Sequence, residues 1–391
     1  MTSLLIRNGD VLTPFEMIVD GAVLVRDGRI ERVGPRPELD GGTVDALIDA
    51  AGGYICPGFI DLQVNGGGGV MLAEAPSVGS VERMARALVR TGTTSFLATI
   101  VTAPEERMIE ALNAVRDADQ APPPGARVLG AHLEGPFINP IRKGAHDERY
   151  IRDPDIELFQ RLVDASGGSL RLITLAPELP GALDLIAAAR EANVVVSIGH
   201  TDATYEETLR AIDAGATFAT HIFNAMRPLS QRDPGVIGVL LTSDITAGLI
   251  ADGVHVHPAN LELVYRAKGP GRVALVTDAL GAEPGETSFR LYGQEIAVRD
   301  GACYLPDGTL AGSALTMAGA VRNMHFLAGV PLLDAVRMAT VTPASVPGLA
   351  HDMGVLRPAA RGDIVLLDRD LNVRTVLVNG VVAFSVSDEQ P

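Results

Sequence analysis

From residue 55 to residue 277 the chain alternates short apolar runs, rich in β-branched residues, with longer amphipathic ones. The apolar runs, over 55–63, 93–100, 127–133, 170–175, 193–198, 216–221, 245–251 and 272–277, read as strands covered on both faces. Helical spacing between most of them predicts helices over 78–91, 104–118, 181–192, 204–214 and 258–268. Strands and helices alternating in this way predict a closed (β/α)8 barrel of the TIM type, with a doubly wound open sheet as the structural alternative.

On either side the pattern changes. Leu4-Leu5-Ile6 leads into Asn8-Gly9, and Ala22-Val23-Leu24-Val25 leads into Asp27-Gly28. Both are hairpin signals. The C-terminal stretch repeats them, with Ile364-Val365-Leu366-Leu367 followed by Val376-Leu377-Val378 and Asn379-Gly380. Neither end has enough strands to stand alone. The expectation is one composite β domain, a small β-sandwich built from 1–56 and 355–391, around a barrel spanning 57–354. Past the last barrel strand, 287–300 reads as a hairpin and helices are expected near 313–328 and 331–340. Gly66-Gly67-Gly68-Gly69 reads as a flexible loop, since no Gly-Lys-Ser/Thr follows to make it a phosphate loop.

Composition narrows the function. At 391 residues and 47% hydrophobic the chain can bury a large core. A net charge of −16 without a basic stripe argues against a nucleic-acid partner. It also means that an anionic substrate needs a locally cationic pocket. Two cysteines, Cys56 and Cys303, make no disulfide framework and suit a reducing compartment. No apolar run reaches the ~18 residues of a membrane span, and the N-terminus lacks a secretory pattern. A cytoplasmic protein without membrane partners is expected.

In a barrel, chemistry gathers at the C-terminal ends of the strands. Those ends carry Gln63, Glu134, His200, His221, His255 and Asp278, including three of the eight histidines. His200 and His221 end two neighbouring strands one helix apart; for that fragment alone, ordinary strand-end histidines are an equal reading. Glu134 ends an apolar segment, where a lone carboxylate is rarely buried without a partner. Together the three make a two-imidazole, one-carboxylate set with room for water, the usual arrangement for a catalytic divalent ion. Asp278 is either a helix N-cap or the carboxylate that takes and returns a proton beside that ion. His255 is placed for substrate, and His132 reads as a satisfied core histidine.

Seven motifs, in this order and spacing, resemble those of the amidohydrolase superfamily and, within it, the N-acetylglucosamine-6-phosphate deacetylase family. They are Pro57-Gly58-Phe59-Ile60-Asp61, His132-Leu133-Glu134-Gly135-Pro136-Phe137, Lys143-Gly144-Ala145-His146, Ile198-Gly199-His200-Thr201, Thr220-His221-Ile222-Phe223-Asn224-Ala225-Met226, Val276-Thr277-Asp278-Ala279 and Leu310-Ala311-Gly312-Ser313. The resemblance covers essentially the whole chain. It implies metal-dependent hydrolysis of N-acetyl-D-glucosamine 6-phosphate to D-glucosamine 6-phosphate and acetate, in amino-sugar catabolism and cell-wall sugar recycling. The alternatives are the N-acetylgalactosamine 6-phosphate epimer or, further off, another amide hydrolase or deaminase of the superfamily.

The resemblance also implies residue roles. Glu134, His200 and His221 hold the metal, Asp278 is general base and then general acid, and His146 helps polarise the acetyl carbonyl. Ala145, His146, Asn224, Ala225, Arg232 and His255 contact the sugar phosphate, and Leu310, Ala311 and Gly312 line the sugar. Arg232 reaches in from the neighbouring subunit of a homodimer; read from its own loop alone, it is a solvated arginine. Many superfamily members carry His-x-His after the first strand and bind two metals, but here Gln63 and Asn65 stand at those positions. Amides are poor ligands for a transition metal. One ion per subunit is therefore expected, zinc first, with iron, manganese or cobalt also accepted by such a donor set. Gln63 would orient water or fill the vacated second site.

Overall fold

The computed structural model describes residues 3–283, 285–291 and 294–386. Eight parallel strands run in chain order as neighbours: Phe59–Val64, Thr93–Val101, Arg127–Glu134, Leu170–Leu175, Val195–Ile198, Phe218–Ala219, Thr246–Ile250 and Val273–Val276. Alternate residues on them supply two cores, as a period of two requires. Ile60, Leu62, Leu97, Leu129, Leu172, Phe218, Ile250 and Val276 share one buried cluster. Phe59, Phe96, Val128, Ile173, Val196, Leu249 and Leu275 join a second with helix residues such as Met84, Leu112, Leu162, Leu185, Leu240 and Leu261. A sheet covered on both faces explains why its strands read as unbroken apolar runs.

The seam between the first and eighth strands closes at the mouth. The Asp278 amide donates to the Gln63 carbonyl at 2.8 Å, and the Asn65 amide donates to the Ala279 carbonyl at 2.8 Å. Below them the fully buried Asp61 accepts from the Thr277 hydroxyl at 2.5 Å, the Gln63 amide at 3.1 Å and the Thr277 amide at 3.3 Å. Burial pushes this carboxyl up to about 7 even against those bonds.

Strands from both chain ends form a separate sheet, ordered Val381–Ser385, Val373–Val378, Ile364–Leu367, Tyr54–Pro57, Ser3–Leu12, Met17–Arg26 and Arg29–Pro35, with Ala46–Asp49 also paired to Ser3–Leu12. The run expected as one strand over 55–63 is therefore two. Tyr54–Pro57 pairs with Ile364–Leu367, and Phe59–Val64 enters the barrel. The change of sheet falls at Gly58, where a Cβ would lie 2.1 Å from the Thr94 hydroxyl oxygen.

Asp27-Gly28 and Asn379-Gly380 take the turn conformation, all four with positive φ. Asn8-Gly9 does not turn the chain; it is an irregularity inside Ser3–Leu12, and the reversal comes after Leu12. Helices Ile156–Ser166 and Gly235–Thr242 add to those expected. The hairpin expected over 287–300 is present as Ser288–Leu291 against Gln294–Arg299, and it extends through Ala302–Tyr304 and Leu310–Ser313 into a four-stranded sheet. Gly66–Gly67 pairs with Val70–Met71 instead of forming a free loop. Among the described residues no helix is long and apolar enough to cross a membrane.

Asp61→Ala removes the side-chain latch of the seam. It is expected to lower unfolding stability by roughly 3 kcal/mol, measured by urea denaturation. A loss under about 1 kcal/mol would show that the backbone bonds at the mouth close the barrel unaided.

Candidate metal centre and active site

Strand geometry brings Glu134, His200 and His221 to one point. Glu134 is the last residue of its strand, and each histidine stands two residues past the end of its own, after Gly199 and Thr220. His200 and His221 take positive φ, 48° and 26°, and so does Asp278 at 49°. Such backbone is costly for residues with a Cβ and gathers at functional sites. Gly199, just before His200, leaves no room for a side chain. A Cβ there would fall 2.7 Å from the Thr174 methyl and 2.8 Å from Thr220 Cβ.

The three side chains are buried. Glu134 Oε1 lies 3.2 Å from His200 Nε2 and 3.1 Å from His221 Nε2, and the two Nε2 atoms are 3.2 Å apart. His200 Nδ1 lies 2.9 Å from the Arg142 carbonyl, which can only accept, so the proton of the neutral ring sits on Nδ1. Its Nε2 then points a lone pair at a carboxylate oxygen. One proton on neutral His221 cannot satisfy both neighbours, and its buried Nδ1 has no partner. The cluster holds more lone pairs than protons, which is the signature of a cation site. Two ligands about 2.0–2.1 Å from a common centre at the tetrahedral angle lie roughly 3.3 Å apart, close to the spacing found. The residues fit a divalent ion.

Asp278 faces the cluster across Gln63. Gln63 Nε2 donates to Glu134 Oε1 at 2.9 Å and to Asp278 Oδ1 at 3.2 Å. Burial, reinforced by the Glu134 charge, pushes Asp278 up to about 8. Asp278 caps no helix; its carboxylate accepts the Gln63 and Asn65 amides. His146 stacks edge-on against His200 with centroids 4.5 Å apart, and its Nδ1 is 2.8 Å from the Thr102 hydroxyl. Burial and the neighbouring His200 push it down to about 3, so its ring is neutral at pH 7.

The other expected residues lie around this cluster in different states. Leu310, Ala311 and Gly312 belong to the strand that docks on Asp278, where the Ser313 amide donates to the Asp278 carbonyl at 2.9 Å. Asn224 and Ala225 follow His221 in a tight bend, and the Ala225 carbonyl accepts from the Thr201 amide at 3.0 Å. His255 Nδ1 pairs with Asp252 at 2.5 Å, both side chains nearly buried. Ala145 is exposed beside His146. Arg232 is exposed on its loop and makes no ion pair among the described residues. Sequence reasoning passed over Thr102, Asp252 and the Asn65 contact to Asp278. Only Asn65 carried a readable signal, standing two residues from Gln63. His132 is the satisfied core histidine expected, 3.1 Å from the Leu62 carbonyl and 2.7 Å from the Thr174 hydroxyl.

A parallel barrel with this cluster at its strand ends defines the class: a barrel hydrolase with a metal-ligand set at the mouth. The sequence model of the Amidohydrolase family matches residues 54–383. The chain belongs to the amidohydrolase family and is a hydrolase acting on an amide bond. It is 36% identical to the N-acetylglucosamine-6-phosphate deacetylase of Bacillus subtilis, over 98% of this chain and 97% of that protein. It is also 36% identical to the N-acetylgalactosamine-6-phosphate deacetylase of Escherichia coli O157:H7, over 97% and 98%. Among solved structures, it superposes with a TM-score of 0.92 on a mutant N-acetyl-D-glucosamine-6-phosphate deacetylase from Mycobacterium smegmatis in complex with N-acetyl-D-glucosamine-6-phosphate, at 35% identity over 98% of this chain and all of that one.

Burial pushes His132 down to about 4, below the ordinary value of 6.5. A folded pKa below the unfolded one removes stability as pH falls through that window, because the unfolded chain binds the proton first. NMR of histidine-labelled protein is expected to show the His132 ring neutral down to pH ~5. Protonation near the ordinary value would contradict its bonded, buried state.

Proposed function

We propose that the chain removes the acetyl group of N-acetyl-D-glucosamine 6-phosphate, giving D-glucosamine 6-phosphate and acetate. The observation that supports this most is the excess-lone-pair cluster of Glu134, His200 and His221 facing Asp278, in a chain similar along its length to deacetylases of that substrate. Galactosamine is the second reading, favoured by the Escherichia coli relative of equal identity.

A divalent ion held by Glu134, His200 and His221, zinc first, would supply a Lewis acid to water and to the amide carbonyl. In the tautomer with its proton on Nε2, His146 bonds the acetyl oxygen, its Nδ1 lying 2.8 Å from the Thr102 hydroxyl. Asp278 takes the proton of the attacking water and returns it to the sugar nitrogen as the C–N bond breaks. The dication's charge favours the carboxylate form of Asp278 that this requires.

Asn224, Ala225, His255 and the backbone at Ala145 and Leu310–Gly312 hold the sugar phosphate. Arg232 does so from the partner in a homodimer, which agrees with its exposure and with its making no ion pair among the described residues. The domain division proposed is 1–56 with 355–391, and 57–354. The setting is cytoplasmic amino-sugar recycling.

Acetate release from N-acetylglucosamine 6-phosphate, beside the unphosphorylated sugar and the galactosamine epimer, tests the reading. Strong preference for the first is expected. Equal rates with and without phosphate would remove Arg232 and His255 from the phosphate pocket. Asp278→Asn is expected to keep its metal and lose about 10²–10⁴ in turnover. Near-normal turnover would overturn the role of Asp278.

A further inference from the structure

The first barrel strand carries one side-chain amide near its end and is followed by a second, and both turn toward the same oxygen. Asn65 Nδ2 donates to Asp278 Oδ1 at 2.8 Å, and Gln63 Nε2 donates to it at 3.2 Å while also serving Glu134. Asp278 Oδ2 accepts no hydrogen bond among the described residues.

Asn65 is well placed to impose this. It is 3% exposed, its backbone N–H donates to the Ala279 carbonyl at 2.8 Å, and its backbone carbonyl accepts from the Leu72 amide at 3.1 Å. Asp278 is held in turn by its own amide on the Gln63 carbonyl and by its carbonyl under the Ser313 amide. With the backbone fixed on both sides, the freedom left to the carboxylate is rotation about its own bonds. Gln63 gives one N–H of its NH₂ group to Glu134 and the other to Asp278 at 3.2 Å, and that single donor does not fix the plane of the carboxylate. Asn65 gives Asp278 the shorter of the two bonds. Donors on Oδ1 fix the plane of the carboxylate and make that oxygen the poorer base, which leaves Oδ2 to exchange the proton.

We propose that Asn65 is a positioning residue for Asp278: its amide holds Oδ1 so that Oδ2 alone faces the reacting water and the leaving nitrogen. This rests on the deacetylase reading. Within it, the amide at this position has a use of its own rather than standing in for a missing imidazole.

The test is acetate release by the intact protein and by Asn65→Leu, Asn65→Gln, Asp278→Asn and the double variant Asp278→Asn/Asn65→Leu, with metal content measured for each. Asn65→Leu is expected to lower kcat about 10–100-fold, with KM and metal content nearly unchanged. Asn65→Gln, which keeps an NH₂ group on a longer arm, recovers part of that loss. In the Asp278→Asn background the Leu substitution costs almost nothing further, because residues acting as one unit are not additive. Should Asn65→Leu fail to fold, Asn65→Ser, too short to reach Asp278, takes its place. Full kcat in Asn65→Leu, or the same fold-loss in the Asp278→Asn background, would overturn the proposal. Loss of metal would overturn it too, by making Asn65 part of the ion's support. If the unsubstituted protein released no acetate, the deacetylase reading itself would fall, and this inference with it.

Discussion

The structure turns on three lone-pair atoms held within 3.2 Å of one another in a buried place. Unsatisfied acceptors facing each other away from water are costly, and no arrangement of the available protons removes the cost. A cation does. Much of the molecule serves to hold this unfavourable contact in place: the closed barrel, the bent strand ends, and the Arg142 carbonyl that fixes the His200 tautomer. Strain and electrostatic repulsion are concentrated at the mouth, and the two apolar cores of the sheet offset them.

The seam between the first and eighth strands is part of the same construction. Asp61 and Gln63 alternate along one strand and Asn65 follows its end, and each bonds the residues that follow the eighth strand. The lowest of them latches the barrel, and the upper two orient the carboxylate that faces the cluster. Stability and chemistry here share one run of five residues, so a change at one level is felt at the next.

Much of this was legible in the sequence. Parallel strands buried on both faces leave apolar runs, and their ends point to one edge, so Glu134, His200, His221 and Asp278 could be brought together by counting elements. Side-chain pairs across the barrel could not. The Thr102–His146 and Asp252–His255 bonds depend on rotamers and loop paths that no periodicity encodes. Local rules also misled in two places. Asn8-Gly9 has the form of a hairpin turn, yet pairing with Met17–Arg26 carries the strand through it. Gly235–Thr242 is apolar nearly throughout, so a helix buried on most sides shows no amphipathic period.

The central claim is that the Glu134, His200 and His221 cluster is a single cation site. Elemental analysis of protein purified without chelator tests it most directly, with the His200→Ala variant measured alongside. About one divalent ion per chain is expected, falling well below that in the variant. Two ions per chain would contradict the loss of a second site at Gln63 and Asn65. A metal-free protein that remained active would contradict the reading of the cluster altogether.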